Sequence, residues 1–360
     1  MLNPSFWRDR RVFITGHTGF KGSWLLLWLL QLGARVHGYS LPAEPKPNLF
    51  RSLWPAPLGE FFHLEADLAD RSALQRAIES AQPEVVLHLA AQPLVRQSYY
   101  DPLGTWRTNV MGLLNLLEAL NSLQHPCAVV MVTTDKVYEN REWEHGYRET
   151  DRLGGHDPYS ASKAAAELAV QSWRASFCGH SPHQTSHLRI ATARAGNVIG
   201  GGDWAADRIV PDAMRALAAK HPVRVRNPDA TRPWQHVLEP IGGYLLLAQQ
   251  LLTATSPPCE AFNFGPPLSS NRPVQELVEA MLRQWPGAWA IDHQTQPPHE
   301  AGLLHLQIDK AHHELGWNPR WDFSTTVERT VGWYREVAEG ADPVQRSLDD
   351  LVAYQAALYA

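Results

Sequence analysis

Between residues 11 and 194, short apolar runs alternate with longer stretches whose apolar positions recur every three or four residues, a pattern of strands alternating with helices. Residues 11–15 (RVFIT) read as a buried strand, and an apolar helix is expected over 23–32. Further strands are expected at 35–39, 62–66, 85–91, 128–133 and 190–194. A helix over 109–121 carries an apolar stripe, Val110, Leu113, Leu114, Leu117 and Leu120, that suits either a core or a subunit interface. Another helix is expected over 159–177. The alternation predicts an α/β chain with a Rossmann-type doubly wound parallel sheet.

Beyond residue 195 the pattern loosens. A glycine-rich loop at 196–204 is followed by an apolar helix at 239–252 and a strand at 261–264 that returns to the sheet. From Val274 onward helices and loops are expected, without repeats or low-complexity sequence. The expected organisation is a dinucleotide-binding domain over 1–195 with a return segment at about 235–264, and a smaller, mixed substrate domain from 196–234 and 265–360. The proline-rich run 41–57 is expected on the surface.

Charge narrows the partners. Lys and Arg number 32 against 37 Asp and Glu, and a net charge of -5 gives no reason to expect nucleic acid or an anionic membrane. Cys127, Cys178 and Cys259 lack the spacing of a zinc site or a disulfide framework, so a reducing cytoplasm is expected and no metal. Residues 1–16 have no apolar signal core, and the densest apolar run, 24–32, is too short to span a bilayer. His312 and His313 read as solvated neighbours on a charged helix face, and His88 and His236 as packed or hydrogen-bonded histidines.

Two stretches carry chemistry. GHTGFKG at 16–22 joins the first strand to the first long helix, and Gly16, Gly19 and Gly22 keep a three-residue rhythm. Glycine there lets the backbone approach a pyrophosphate while the helix N-terminus offers free N–H groups. Thr18 and Lys21 read as exposed loop positions that either touch phosphate or keep the loop soluble. The second strand ends in Ser40 where such folds usually carry an acidic ribose ligand, which weakens the case for NAD over NADP, although no arginine follows to meet a 2′-phosphate. Asp67 reads either as an adenine contact, with Leu68, or as the cap of the helix starting near Arg71.

The other stretch is DPYSASK at 157–163, which sets Tyr159 and Lys163 on one helical face. A phenol must drop by about three pKa units, or about 4 kcal/mol, to act as a base at neutral pH. Lys163 and an oxidised nicotinamide are two positive charges able to supply that. Thr134-Asp135-Lys136 follows the fifth strand at its carboxyl end, where ligands of open parallel sheets bind. Downstream, Arg208, Arg224, Arg226 and Arg232 form a basic group suited to a diphosphate, of which at least two are expected to be ordinary surface charge.

Together the Gly-x-x-Gly-x-x-Gly and Tyr-x-x-x-Lys motifs resemble the extended short-chain dehydrogenase/reductase family over nearly the whole chain. GHTGFKGSWL, TTDKVYEN, GGHDPYSASK, GNVIGGGDWAADRIVPD and RPWQHVLEP look like the nucleotide-sugar 4,6-dehydratases within it. The resemblance implies tightly held NAD, reduced and reoxidised within each turnover, and a CDP-linked glucose as substrate. It implies Thr134, Asp135, Lys136, Tyr159 and Lys163 as the catalytic set. Gly16, Thr18, Gly19, Phe20, Gly22, Asp67, Leu68, Leu89, Ala90, Ala91 and Thr108 become the cofactor contacts, joined by Tyr159 and Lys163. Asn197, Arg208 and Arg232, with Thr134, become substrate contacts. A homodimer through the helices 109–121 and 159–177 is implied as well.

Related dehydratases carry Asp-Glu where this chain carries Asp135-Lys136. If Lys136 is the base that takes the C5 proton and Asp135 the acid that protonates the departing 6-hydroxyl, both must start neutral. In water, moving a proton from an ammonium to a carboxylate costs about 9 kcal/mol, which burial and a nearby nicotinamide cation would have to offset. The alternative keeps Lys136 charged as an enolate stabiliser. Two rival functions remain at this level. A 4-epimerase would return hydride to C4 and would not need Asp135-Lys136 to expel water, and a non-catalytic nucleotide-binding protein would not need Thr134, Tyr159 and Lys163 together.

Overall fold

The computed structural model describes residues 1–45, 47–53, 59–179, 186–292 and 302–359. Lys46 and residues 54–57 of the proline-rich run lie outside them. Seven strands form one parallel sheet: β1 Arg11–Thr15, β2 Arg35–Ser40, β3 Phe61–Glu65, β4 Val85–His88, β5 Cys127–Val132, β6 Leu188–Arg194 and, returning much later, β11 Ala261–Asn263. Their order across the sheet is β3-β2-β1-β4-β5-β6-β11. The central strands β4 and β5 are buried along their whole length, so they are continuous apolar runs rather than alternating ones. Strand order reverses between β1 and β4, which opens a crevice above their carboxyl ends.

Helices cover both faces. One core joins Trp24 and Trp28 to Tyr244, Trp321, Trp333 and Tyr354, so the C-terminal helices Phe323–Ala338 and Pro343–Tyr359 pack on the same apolar mass as the helix Phe20–Gln31. The other face buries Leu74, Ile78, Leu113, Leu117 and Val170. The remaining strands make three small two-stranded sheets beyond the crevice. They pair β7 Val198–Ile199 with β10 Gln235–His236, β8 Val223–Val225 with β13 Trp289–Ile291, and β9 Thr231–Pro233 with β12 Asn271–Pro273.

Several expectations are corrected. The strand expected over 85–91 stops at His88: the Leu89 N–H makes the last ladder bond, to the Thr15 carbonyl, and the Ala90 N–H turns to the Thr15 hydroxyl instead. The single helix expected over 109–121 is a π-helical stretch, Arg107–Gly112, running into the α-helix Leu113–Leu120; of its stripe, Leu113, Leu117 and Leu120 are buried and Val110 and Leu114 only partly so. Asp70, not Asp67, caps the helix Arg71–Ala81 by accepting from the Ala73 N–H at 2.9 Å, while Asp67 closes a tighter turn onto the Ala69 N–H. Beyond Val274 the chain also contributes the parallel strand β13, so that region is not helix and loop alone.

Candidate active site

The candidate catalytic side chains Thr134, Asp135 and Tyr159 meet at the carboxyl ends of β5 and β6. Thr134 leaves β5 in an extended conformation and caps a 3₁₀ turn, Asp135–Val137, its hydroxyl accepting from the Lys136 N–H at 3.4 Å. Opposite it starts the helix Pro158–Phe177. Asp157 caps that helix through the Ser160 N–H at 2.9 Å, and Pro158 occupies its first turn, where a missing N–H costs nothing. This start places Tyr159 and Lys163 one turn apart, both buried and facing Thr134 and Val132.

The Tyr159 phenol hydrogen-bonds with Thr134, and Thr134 in turn donates to Asp135 Oδ1 at 2.9 Å. Burial pushes the phenol up to about 12; the Thr134 bond and the Arg208 guanidinium pull it down, while the Asp135 charge pushes it further up. Lowering it from there to neutral pH takes on the order of 7 kcal/mol, more than the sequence suggested, because burial adds to the demand. Lys163 donates to the Val132 carbonyl at 3.2 Å; burial draws its ammonium down to about 8 against the pull of Glu167. Arg208 is thus a cation acting on the phenol, while Lys163 is engaged on the backbone.

Asp135 is 1 % exposed, and its Oδ2 is buried with no hydrogen-bond partner among the described residues. Gly196 makes that position possible: a Cβ there would lie 1.8 Å from Oδ2. Lys136, by contrast, is only partly buried.

The expected cofactor contacts gather along the crevice. Gly16, Thr18 and Gly19 form the turn after β1, and Phe20 and Gly22 lie in the first turn of the helix Phe20–Gln31; Leu89, Ala90 and Ala91 follow β4; Thr108 sits in the π-helical stretch; Asp67 and Leu68 follow β3. Gly22 lies so close to the start of the turn that a Cβ would stand 2.1 Å from the Gly16 carbonyl oxygen. Gly19 caps the helix Phe20–Gln31 with no side-chain bond, which leaves its first N–H groups for an anion. The cradle therefore fits a dinucleotide pyrophosphate. Thr18 and Lys21, expected to be exposed, are instead buried and partly buried. The Thr18 hydroxyl bonds Ser40 Oγ at 2.7 Å and the Leu41 carbonyl at 3.1 Å, so the Ser40 hydroxyl is engaged within the loop. Burial and the Arg208 charge draw Lys21 down to about 8, and Asp135 and Asp203 pull it up, so this lysine faces the catalytic groups.

On the substrate side, Asn197 follows β6 with φ of 47°, and its carbonyl accepts from the Gln235 N–H. Arg208 caps the helix Ile209–Ala218 and pairs with buried Asp203 at 2.8 Å; Arg232 lies in β9 and donates to the Thr231 carbonyl at 2.9 Å. Arg224 is exposed on β8, while Arg226 pairs with Asp207. His88 bonds the Thr15 hydroxyl at 2.7 Å and His236 accepts from the Leu238 N–H, both packed as expected; burial drives each to about 3. His312 and His313 are exposed, and no cluster able to hold a metal is found among the described residues.

Sequence reasoning missed the group beneath the site. Glu167 Oε1 accepts from Thr133, and its Oε2 from Thr192 at 2.7 Å and Arg194 at 2.9 Å; Arg194 also donates to the Tyr138 hydroxyl at 2.8 Å. The signal was present, since Glu167 stands four residues after Lys163 on the same helical face.

The sequence pattern of the family described as "GDP-mannose 4,6 dehydratase" matches residues 13–330. A CDP-glucose 4,6-dehydratase of Salmonella typhimurium is 45% identical over 359 residues, covering 99% of each chain. Among solved structures, the UDP-glucose 4-epimerase of Thermus thermophilus in complex with NAD superposes with a TM-score of 0.76 at 25% identity, covering 90% of this chain and 98% of that one. The dTDP-glucose 4,6-dehydratase of Bacillus anthracis in complex with NAD gives a TM-score of 0.74 at 20% identity over 92% and 99% of the two chains, a likeness of fold.

Proposed function

The chain belongs to the GDP-mannose 4,6-dehydratase family, and from that premise we propose that it converts CDP-D-glucose to CDP-4-keto-6-deoxy-D-glucose and water. The choice of CDP rests on the Salmonella typhimurium relative, at 45% identity over almost the whole of both chains. The observation that carries dehydration rather than epimerisation is Asp135: a buried carboxyl with one oxygen tied to Thr134 and the other unpartnered is suited to hand a proton to a leaving hydroxyl.

The segment 16–22, residues 89–91 and Lys163 would hold NAD, which when bound would supply the hydride acceptor for C4, the donor for C6 and a positive charge. Tyr159 takes the 4-hydroxyl proton, and Thr134 holds the 4-oxygen against it. Lys163 steadies the phenolate. Once C4 is a ketone the C5 proton is acidic; Lys136 takes it as a base or, kept charged, stabilises the enolate while another group accepts it. Asp135 protonates the departing 6-hydroxyl. Arg208, Arg232 and Asn197 hold the diphosphate. The first half of the chain, 1–195 with the return at about 235–264, is the cofactor domain in this reading, and 196–234 with 265–360 the substrate domain.

The protein acts as a cytoplasmic homodimer in this reading. Tyr99, Tyr100, Leu103, Trp106, Met111 and Leu168 are large exposed apolar side chains on the helices from Val95 to Phe177, a surface that a second copy would cover. No helix among the described residues is long and apolar enough to cross a membrane. Light scattering at micromolar concentration checks the dimer, and a monomer there counts against it.

The function is tested by incubating the NAD-loaded protein separately with CDP-, UDP- and dTDP-glucose and GDP-mannose, followed by mass spectrometry. Loss of one water from CDP-glucose alone is the expected result. Water loss from another nucleotide keeps the reaction and overturns the base, and an isomer of unchanged mass indicates an epimerase. A Lys136→Met variant with normal C5 proton exchange would remove Lys136 from the chemistry.

A further inference from the structure

Lys21 belongs by sequence to the cofactor segment 16–22, yet the charges around it are those of the catalytic and substrate groups. It is the second residue of the helix Phe20–Gln31, and its neighbours fix the direction of that first turn. The Phe20 ring lies against Gly200, where a Cβ would stand 3.3 Å from its Cζ, and Trp24 donates its indole N–H to the Gly201 carbonyl at 2.9 Å. Lys21 and Trp24, three positions apart, share a helical face. The turn is therefore packed on the loop 196–204. Gly196 of that loop seats Asp135, and Asp203 of the same loop pairs with Arg208 at 2.8 Å.

Four charges act on the Lys21 ammonium, Arg208 most strongly, then Asp135, Lys163 and Asp203. These four have bonds of their own: Arg208 and Asp203 to each other, Lys163 to the Val132 carbonyl at 3.2 Å, and Asp135 Oδ1 to the Thr134 hydroxyl at 2.9 Å. Lys21 makes no hydrogen bond or ion pair with a described residue, so it meets both carboxylates at longer range. Burial, Arg208 and Lys163 draw it down to about 8 against the pull of Asp135 and Asp203. An ammonium held beside a guanidinium and a second ammonium costs stability. A lysine kept only for solubility would carry its charge outward on its long stem. Cations gathered in a cleft at such a cost suit an anionic ligand.

The proposed function seats the sugar on Tyr159, Thr134 and Asp135 and the diphosphate on Arg208. Lys21 shares the loop 196–204 with both seats and is acted on most by Arg208 and next by Asp135, which puts it between them. The phosphate that bears the sugar falls there. We propose that Lys21, though a member of the cofactor segment, serves the substrate: its ammonium holds the sugar-bearing phosphate of the nucleoside diphosphate sugar. This rests on the nucleotide-sugar reading above and deepens it. Lysine meets a phosphate as a point charge, while the planar fork of Arg208 sets its orientation. The contact separates a nucleoside diphosphate from the monophosphate, which lacks that group.

The test is isothermal titration of the full-length, NAD-loaded protein with CDP and, separately, CMP. Lys21→Met is expected to bind CDP about tenfold more weakly than the parent, the loss of one charge-assisted bond, and to bind CMP as the parent does. Parental CMP binding also shows that the variant is folded. Lys21→Arg, which keeps the charge, is expected to stay within about threefold of the parent for CDP. Both variants are expected to retain NAD through gel filtration as the parent does. Undiminished CDP binding in Lys21→Met overturns the proposal, as does a loss shared equally by CDP and CMP, or a loss in Lys21→Arg as large as in Lys21→Met. Loss of NAD from Lys21→Met with CDP binding kept would give the ammonium to the cofactor and overturn it too. A parent chain that binds neither nucleotide would instead bring down the nucleotide-sugar reading, and this proposal with it.

Discussion

Glu167 and Asp135 are two buried carboxyls at the same edge of the sheet, at 4% and 1% exposure, and they are opposites in every other respect. Glu167 has both oxygens bound by Thr133, Thr192 and Arg194, and its charge is held below the usual carboxylate range because the Arg194 guanidinium and these bonds outweigh burial. Asp135 has one oxygen bound and one bare. A buried charge with every lone pair used stabilises a unique arrangement. One left half-satisfied costs stability, and such cost is retained where a ligand completes it. The proposed function makes the first a scaffold under Lys163 and gives the chemistry beside Tyr159 to the second.

Exchanging the two roles is the sharpest test. Asp135→Asn is expected to slow water loss by about 10²–10⁴-fold while C4 oxidation persists, seen in single turnovers as accumulating reduced cofactor. Its unfolding midpoint should hold or rise, because a half-satisfied buried acid is exchanged for a neutral amide. Glu167→Gln is expected to do the reverse. It leaves Arg194 buried without its counter-ion and should cost about 3–5 kcal/mol in urea unfolding. If Asp135→Asn proved the more destabilising of the two, the comparison would fail.

A smaller effect comes from pH. The Lys163 ammonium, drawn down to about 8, is lost as pH rises through that value, so kcat/KM should fall on the alkaline side near pH 8. Stability moves the other way for this group: between about 8 and 10.5 the unfolded chain binds the proton that the folded chain has released, so Lys163 favours the fold increasingly as pH rises there. Glu239 should give the smallest signal. Burial raises it to about 7, although the Arg320 and Trp321 N–H groups and Tyr354 all bond it. Its folded pKa lies above the ordinary 4.5, so its contribution is complete below about 4.5 and fades as pH rises through about 7. Glu239→Gln should flatten that part of the stability profile in thermal melts across pH 4 to 8.

The sheet was legible because buried parallel strands are apolar runs between glycine-rich turns, and β1, β2, β5 and β6 fall within two residues of their expected ends. Tyr159, Lys163 and Thr134 were legible because helical period and strand end put them together. What escaped depended on polar partners distant in sequence. Periodicity states that Glu167 faces inward but not that Arg194 waits there, and it ranked Thr18 as exposed because the Ser40 and Leu41 partners arrive from another strand. The Asp67 alternatives were separable only by the turn that precedes Arg71. The ion pairs of Asp207 with Arg96 and Arg226 join residues 111 and 19 positions apart, beyond any local pattern.

The central claim is that hydride taken from C4 returns to C6 of a sugar that has lost water. CDP-glucose carrying deuterium at C4, turned over by the NAD-loaded protein and read by NMR, tests it directly. Deuterium in the C6 methyl group of a dehydrated product is the predicted result, and deuterium found back at C4 of a sugar that has kept all its oxygens would contradict it.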